Sequence, residues 1–389
     1  MHKRENFTDN RLFCPGPTPA PRAVIRAYEQ TNIYHRGKDF ELIFNECAQR
    51  LQPFFGCKNL PILLTSSGSG AMEAAVTNFT ADGDAVIVLS AGKFGDRWAK
   101  ICSAYGCDVH IQKKPLGTVP DRSDVEAAFK AKPRAKAVFF QCHETSTGAK
   151  LPVEELVDEI KKRSKDCLII VDAISSLGAH SFNMDQWGVD VALSGSQKGF
   201  GVGPGLAFIA LSDRALANIS KRQRFYFDLL REKNGQANGR ASFTPAISLV
   251  LGLHAALLEI EDLGPRGFAK HHERMGNAAR SAVKAMGLEL FVEPRAVSNT
   301  LTAIKVPSGL DGAEVLARSK QRYGAVISGG QDELKGKIIR FSHLGFVSPF
   351  HLIDGLAALE FSLADCGFVF PIGSGVSAAM QSLRSSQTH

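Results

Sequence analysis

Lys198 ends the run Val191-Ala192-Leu193-Ser194-Gly195-Ser196-Gln197-Lys198-Gly199-Phe200, where an apolar strand-like stretch gives way to small residues with one amine at the tip. Most lysines are solvated surface charges. A lysine framed by Ser, Gly and Gln after a buried strand suits a Schiff base, because small neighbours admit a carbonyl compound and shelter lowers the amine pKa. Gly201-Val202-Gly203-Pro204-Gly205 then offers a tight turn with exposed backbone. Earlier in the chain, Asp172 closes the apolar run Leu168-Ile169-Ile170-Val171. A carboxylate at the carboxyl end of a buried strand lies at the edge where open α/β sheets hold ligands. It is costly to bury without a partner, and a protonated ring nitrogen would be one; the same residue also reads as a helix cap. The third segment is Thr65-Ser66-Ser67-Gly68-Ser69-Gly70-Ala71-Met72-Glu73. Its small-residue turn at a helix N-terminus leaves N–H groups free and adds partial positive charge, which suits a phosphate. It also reads as an ordinary serine-capped turn, and it carries neither a Walker loop nor a GxGxxG fingerprint.

These residues need a scaffold that ends strands side by side. Apolar runs rich in Val, Ile and Phe recur at 61–64, 85–89, 109–111, 137–140, 168–171, 189–193 and 206–211, each long enough for a strand buried on both faces. Between them, 71–79 and 152–164 place apolar residues at steps of three and four, the mark of a helix. Alternating strands and helices predict a mainly parallel α/β sheet with right-handed crossovers. From about Pro245 the pattern changes to long helical stretches, 246–263 and 267–286, then isolated strands near 301–306 and 337–342 and a last helix at 349–363. The expected division is a large domain over 15–260 and a smaller α+β domain over 261–389, the boundary falling within 255–270. Residues 1–14 are expected to pack near the site or the small domain.

A chain of 389 residues exceeds what one core usually organises. With 44% hydrophobic and 22% charged residues it has the composition of a globular protein. The net charge of +7 comes from scattered lysines and arginines, which argues against a nucleic-acid protein and mildly favours anionic small molecules. Eight cysteines without a CxxC pair read as reduced, mostly buried thiols, with no zinc site or disulfide framework. No signal-like N-terminus and no long uncharged apolar run occur, so a cytoplasmic protein with no membrane partner is expected.

Taken with Pro15-Gly16-Pro17-Thr18-Pro19, His143-Glu144-Thr145-Ser146-Thr147-Gly148, Val171-Asp172-Ala173-Ile174-Ser175-Ser176-Leu177-Gly178 and Arg340-Phe341-Ser342-His343-Leu344-Gly345, the three segments give the chain a resemblance. It resembles the class V, fold-type I aminotransferases of the alanine-glyoxylate and serine-pyruvate group, which use pyridoxal 5'-phosphate (PLP). The resemblance implies a large domain with a seven-stranded, mainly parallel sheet and a small C-terminal domain. It assigns Ser67, Gly68, Ser69 and Gln197 to the phosphate, Phe94 to stacking on the pyridine ring, and Asp172 to the ring nitrogen. Thr145 would bond near the phenolic oxygen, Lys198 would carry the cofactor, and Arg340 would hold the substrate carboxylate through a fork that lysine lacks. Arg36 is a further substrate candidate. Thr244 would reach the phosphate of a neighbouring subunit, implying a homodimer with shared sites.

Two positions depart from that group: Phe94 stands where its closer members stack a tryptophan, and Ala241 where they place a phosphate-binding tyrosine, with Arg240 or Ser242 as possible substitutes. The expected reaction moves an amino group from a small amino acid to a 2-oxo acid such as glyoxylate or pyruvate. Three alternatives stay open. An aminophosphonate aminotransferase differs only in substrate. A cysteine desulfurase would want a histidine over the ring, where Phe94 stands, and a mobile late cysteine, where only Cys366 is present. A non-catalytic complex subunit would have lost its lysine or Asp.

Overall fold

The computed structural model describes residues 10–30 and 33–385. Its strands are β1 (Arg11–Phe13), β2 (Ile62–Thr65), β3 (Ala85–Ser90), β4 (Asp108–Lys113), β5 (Ala137–Gln141), β6 (His143–Glu144), β7 (Ala149–Lys150), β8 (Leu168–Asp172), β9 (Val191–Gly195), β10 (Leu206–Leu211), β11 (Leu301–Lys305), β12 (Ala325–Gly329) and β13 (Ile338–Ser342). Seven of them form one sheet in the order β2-β10-β9-β8-β5-β3-β4. Only β10 runs against its neighbours, β2 and β9. The carboxyl ends of β2, β8 and β9 therefore lie along one edge, the edge at which an open α/β sheet holds ligands.

Every residue of β5, β8, β9 and β10 is buried. Successive side chains feed opposite faces: Ile87 and Leu89 join the core on one side, Val86 and Val88 the core on the other. Burial on both faces is why these strands read as unbroken apolar runs. The first core is covered by the helices Lys38–Phe55, Val153–Arg163 and Ile247–Glu259, the second by Gly68–Phe79 and Lys93–Ala104.

A second sheet, β1-β12-β13-β11, packs with the helices Gly264–Ala285, Pro349–Asp365 and Ser374–Ser385 around a third core. β1, from the start of the chain, is its edge strand, parallel to β12. The helical stretch expected over 246–263 is instead shorter: it stops at Glu259, and the next helix starts at Gly264, whose φ of 59° breaks the run. The apolar spacing Leu257, Ile260, Leu263 passes through that break unchanged, so periodicity alone could not reveal it. No helix among the described residues is long and apolar enough to cross a membrane.

Candidate active site

The turns that follow β2, β8 and β9 meet. Ile174, two residues beyond Asp172, packs under the first: a Cβ on Gly68 would lie 2.6 Å from Ile174 Cδ1. A Cβ on Gly195, at the end of β9, would lie 3.8 Å from the Gly68 nitrogen and 3.1 Å from Gln197 Oε1. The lack of a side chain at Gly68 leaves the room that Ile174 fills, and Gly195 lies alongside. The helix Gly68–Phe79 begins at Ser67, whose side chain makes no capping bond. Gly70 and Ala71 N–H turn back to Ser67 O, and the earlier N–H groups have no intrahelical partner. Gln197 Oε1 is buried beside this turn with no hydrogen-bond partner.

Asp172 is 5% exposed, and its Oδ1 accepts from Ile174 N at 2.7 Å. Burial is the main reason its carboxyl is pushed up to about 7; the Ile174 bond opposes this, and buried Glu144 adds to it. Lys198 is half-buried, its amine brought down to about 8 mainly by desolvation and held up by Asp172. Lys198 Nζ donates to Pro15 O at 2.7 Å, and Thr18 Oγ1 donates to Lys198 O at 2.7 Å. A Cβ on Gly16, at φ 137°, would lie 2.5 Å from Lys198 Nζ. The Pro15-Gly16-Pro17-Thr18 segment thus forms a roof on the amine.

Arg340, on β13, is 5% exposed. Its Nε donates to Gly329 O at 2.7 Å and its Nη1 to Thr145 O at 2.8 Å, which fixes the guanidinium plane and leaves Nη2 and a second Nη1 hydrogen for a ligand. Thr145 Oγ1 donates to Ser175 Oγ at 2.7 Å, and Ser175 Oγ lies 2.9 Å from His143 Nδ1. Phe94 is half-buried in the first turn of the helix Lys93–Ala104. Arg97, one turn on, stands 4.7 Å from its ring centroid and donates to Ser69 Oγ at 2.8 Å.

Sequence reasoning missed Glu144. Its Oε2 accepts from Phe94 N at 3.0 Å, Gly95 N at 3.1 Å and Gln141 Nε2 at 2.8 Å, while Oε1 accepts from Ser146 N and Oγ. This buried carboxylate ties the turn carrying Phe94 to the β6–β7 hairpin carrying Thr145. The available signal was a lone acid inside an uncharged stretch ending a buried strand. Arg97 was missed as well, since nothing local separates it from a surface arginine.

Other candidates are not gathered in. Arg36 is exposed with its Nε 3.4 Å from His35 Nε2, and nothing among the described residues ties it to Arg340. Thr244 is exposed in the loop before the helix Ile247–Glu259. Near Ala241, Arg240 pairs with Glu41 at 2.7 Å and the Ser242 backbone N–H donates to Glu232 Oε2 at 3.2 Å. Cys366 caps the helix Pro349–Asp365 and packs on the third core.

An amine of lowered pKa, a sheltered carboxylate and a helix N-terminus on one sheet edge define an α/β enzyme that binds an anionic carbonyl cofactor with a basic ring. The family described as aminotransferase class-V matches residues 11–343. A protein of Synechococcus sp. named soluble hydrogenase, small subunit, is 37% identical over 96% of this chain and 98% of its own. The L-aspartate–glyoxylate aminotransferase of Paracoccus denitrificans is 32% identical over 97% of each chain. The crystal structure of pyridoxamine-pyruvate aminotransferase from Mesorhizobium loti, 26% identical, aligns over 99% of this chain and 100% of that one with a TM-score of 0.92. This chain belongs to the class-V aminotransferases, with the type I fold of PLP enzymes. The residues present fit that cofactor: the free N–H groups at Gly68 and Ser69 would suit a phosphate, Asp172 a ring nitrogen and Lys198 an aldehyde.

Proposed function

We propose that the enzyme moves the amino group of a small amino acid, alanine, serine or aspartate-like, to a 2-oxo acid such as glyoxylate or pyruvate by a ping-pong cycle. The observation that carries this reading is the half-buried Lys198 amine, roofed by Pro15 O at 2.7 Å and held near pKa 8 with Asp172 close enough to raise its proton affinity. PLP, when bound, supplies an electrophilic carbonyl carbon and a ring that accepts the electrons of a breaking Cα–H bond. Ser67, Gly68, Ser69 and Gln197 anchor the phosphate. Asp172 keeps a proton on the ring nitrogen, and Phe94 covers one ring face and excludes water. Lys198 Nζ would hold the cofactor and, once released by the substrate, would serve as the general base and acid that moves the substrate Cα proton. Arg340, its plane fixed by Gly329 and Thr145, receives the substrate carboxylate on its free N–H groups. Arg36 is a second contact for the substrate in the assembled enzyme.

The reading includes a cytoplasmic homodimer in which Thr244 serves the partner's phosphate. Support comes from its exposure beside Phe225, Tyr226 and Phe243, an aromatic cluster open to solvent in the single chain. It also divides the chain near residue 260, where the helices Ile247–Glu259 and Gly264–Ala285 meet.

A half-reaction screen tests it: purified enzyme is mixed with single amino acids and aminophosphonates while the visible absorption of lysine-bound PLP is followed. Small α-amino acids should bleach the band and release the matching 2-oxo acid, and Lys198→Ala should abolish both, lowering turnover by roughly 10²–10⁴-fold. Bleaching by aminophosphonates alone would overturn the substrate assignment; a wild-type protein that takes up no PLP would overturn the mechanism.

A further inference from the structure

The helix that carries Phe94 at its first turn ends at Ala104 in a specific backbone motif. Gly106, at φ 71°, is its left-handed residue. Cys107 N donates to Cys102 O at 3.0 Å and Gly106 N to Ser103 O at 3.0 Å. These two bonds are the nested pair of a Schellman turn, and that turn brings the side chain two places past the helix against the one three places before its end. Elsewhere this contact is apolar. Here both positions are cysteine.

Cys102 is fully buried and Cys107 half-buried, and the nested backbone bonds set the two side chains side by side. Cys107 Sγ also lies 3.3 Å from Thr80 Oγ1. Arg222 stands over the same corner: it donates to Thr80 O at 3.2 Å and Tyr105 O at 2.7 Å, and its guanidinium lies 5.5 Å from the Tyr105 ring. The contact from Cys102 holds the Cys107 thiol below its ordinary range, with Thr80 and Arg222 helping against burial and Asp84; Cys102 is pushed up. Cys107, the half-exposed thiol, is the one an oxidant can reach, and buried Cys102 lies behind it.

We propose that Cys102 and Cys107 form a thiol–disulfide couple, a modification site at which a peroxide closes an intramolecular disulfide across the helix end. The Cys107 thiolate attacks one peroxide oxygen; the O–O bond breaks, leaving a sulfenic acid on Cys107 and releasing water or an alcohol once the leaving oxygen is protonated. Cys102 then attacks that sulfur, the S–O bond breaks, and the departing hydroxide takes the Cys102 proton as water. Two thiols are oxidised and one peroxide is reduced. The site is separate from the transamination chemistry, and its test does not depend on turnover.

Trypsin cutting after Lys100 and Lys113 leaves both cysteines in one peptide, 101–113, which contains no other cysteine. Holoenzyme is treated with hydrogen peroxide, blocked with N-ethylmaleimide and digested without reductant. The expected product is that peptide lighter by two hydrogens and unlabelled, with dithiothreitol restoring two labels. Cys107→Ser should eliminate the species completely, and Cys102→Ser should leave a Cys107 sulfenic acid that dimedone captures. Full labelling of both residues after peroxide would overturn the proposal. So would a sulfinic acid on Cys107 beside a labelled Cys102, or a cross-link from Cys107 to another cysteine. Since Cys107 is half-exposed, its serine variant keeps the test decisive even if the buried Cys102→Ser fails to fold.

Discussion

Burying Asp172 without a cationic partner costs stability. In the cofactor-free protein, burial raises its carboxyl from 3.8 to about 7, so between those values the folded state binds a proton that the unfolded chain has released. Stability from this group is therefore present below about pH 4, declines as pH rises, and is lost above about 7. Asp172→Asn keeps the shape and removes the titration. The variant's melting temperature, measured without cofactor, should match wild type near pH 4 and exceed it increasingly up to pH 7, while turnover falls by roughly 10²–10³-fold for loss of a buried electrostatic partner. A melting difference that does not vary with pH would remove the burial argument. Lys198 and Asp172 stood out in the sequence as single charges, Asp172 closing an apolar run and Lys198 three residues past the end of another. Arg97 did not, because the partners that set it apart, Ser69 and the Phe94 ring, come from folding.

Between elements, the decisive link is Glu144, which holds the first turn of the helix Lys93–Ala104 against the β6–β7 hairpin. In Glu144→Gln an amide NH₂ must face N–H donors on one side or the other. Each buried donor left unpaired costs about 1–3 kcal/mol. The variant should fold, lose PLP affinity by roughly tenfold or more, and show a red-shifted or weakened cofactor band as Phe94 loosens; Phe94→Ala should reproduce the spectral change. An unaltered spectrum and PLP affinity would show that the turn holds without Glu144. The hairpin itself was invisible in the sequence, since two-residue strands carry no periodicity. β12 escaped notice for a different reason: with only Ala325 and Ile327 fully buried and Gly329 at its end, it lacks the continuous apolar run that marked β5 and β8. Both-face burial made the large sheet readable, and the lack of it hid the small sheet's partner strand for Arg340.

Across the whole molecule, the two sheets meet at buried imidazoles. His180 Nε2 accepts from Asn299 N at 3.2 Å, and His272 Nε2 accepts from Gly345 N at 2.9 Å. His143 and His343 lie in the same seam, with Lys150, Lys198, Arg280 and Arg340 around them. Burial holds all four rings well below 6.5, His143 and His272 at about 3. The unfolded chain therefore binds protons that the folded state refuses, and stability falls as pH drops below about 6.5, by about 1.4 kcal/mol per pH unit for each proton. Denaturant titrations from pH 7.5 to 4.5 should show this decline, with His272→Gln reducing the slope by about one proton; an unchanged slope would exclude His272. A second surface concerns assembly. Phe225 is 73% exposed, Tyr226 43% and Leu230 46%, with Phe243 stacked on Tyr226 and Arg231 lying 4.9 Å from the Phe243 ring. Aromatic and arginine side chains clustered in the open are costly for a lone chain and are the groups that dominate subunit interfaces. Since Thr244 adjoins Phe243, pairing of subunits through this face would bury the cluster and bring the hydroxyl to the neighbouring phosphate turn. Phe225→Asp places a charge that cannot be desolvated there without a partner. If the proposed dimer forms through this face, sedimentation should show wild type as a dimer and the variant as a monomer at the same concentration, with PLP affinity lost in parallel although Lys198 and Asp172 are intact. A dimeric variant of normal affinity would place the subunit contact on another face.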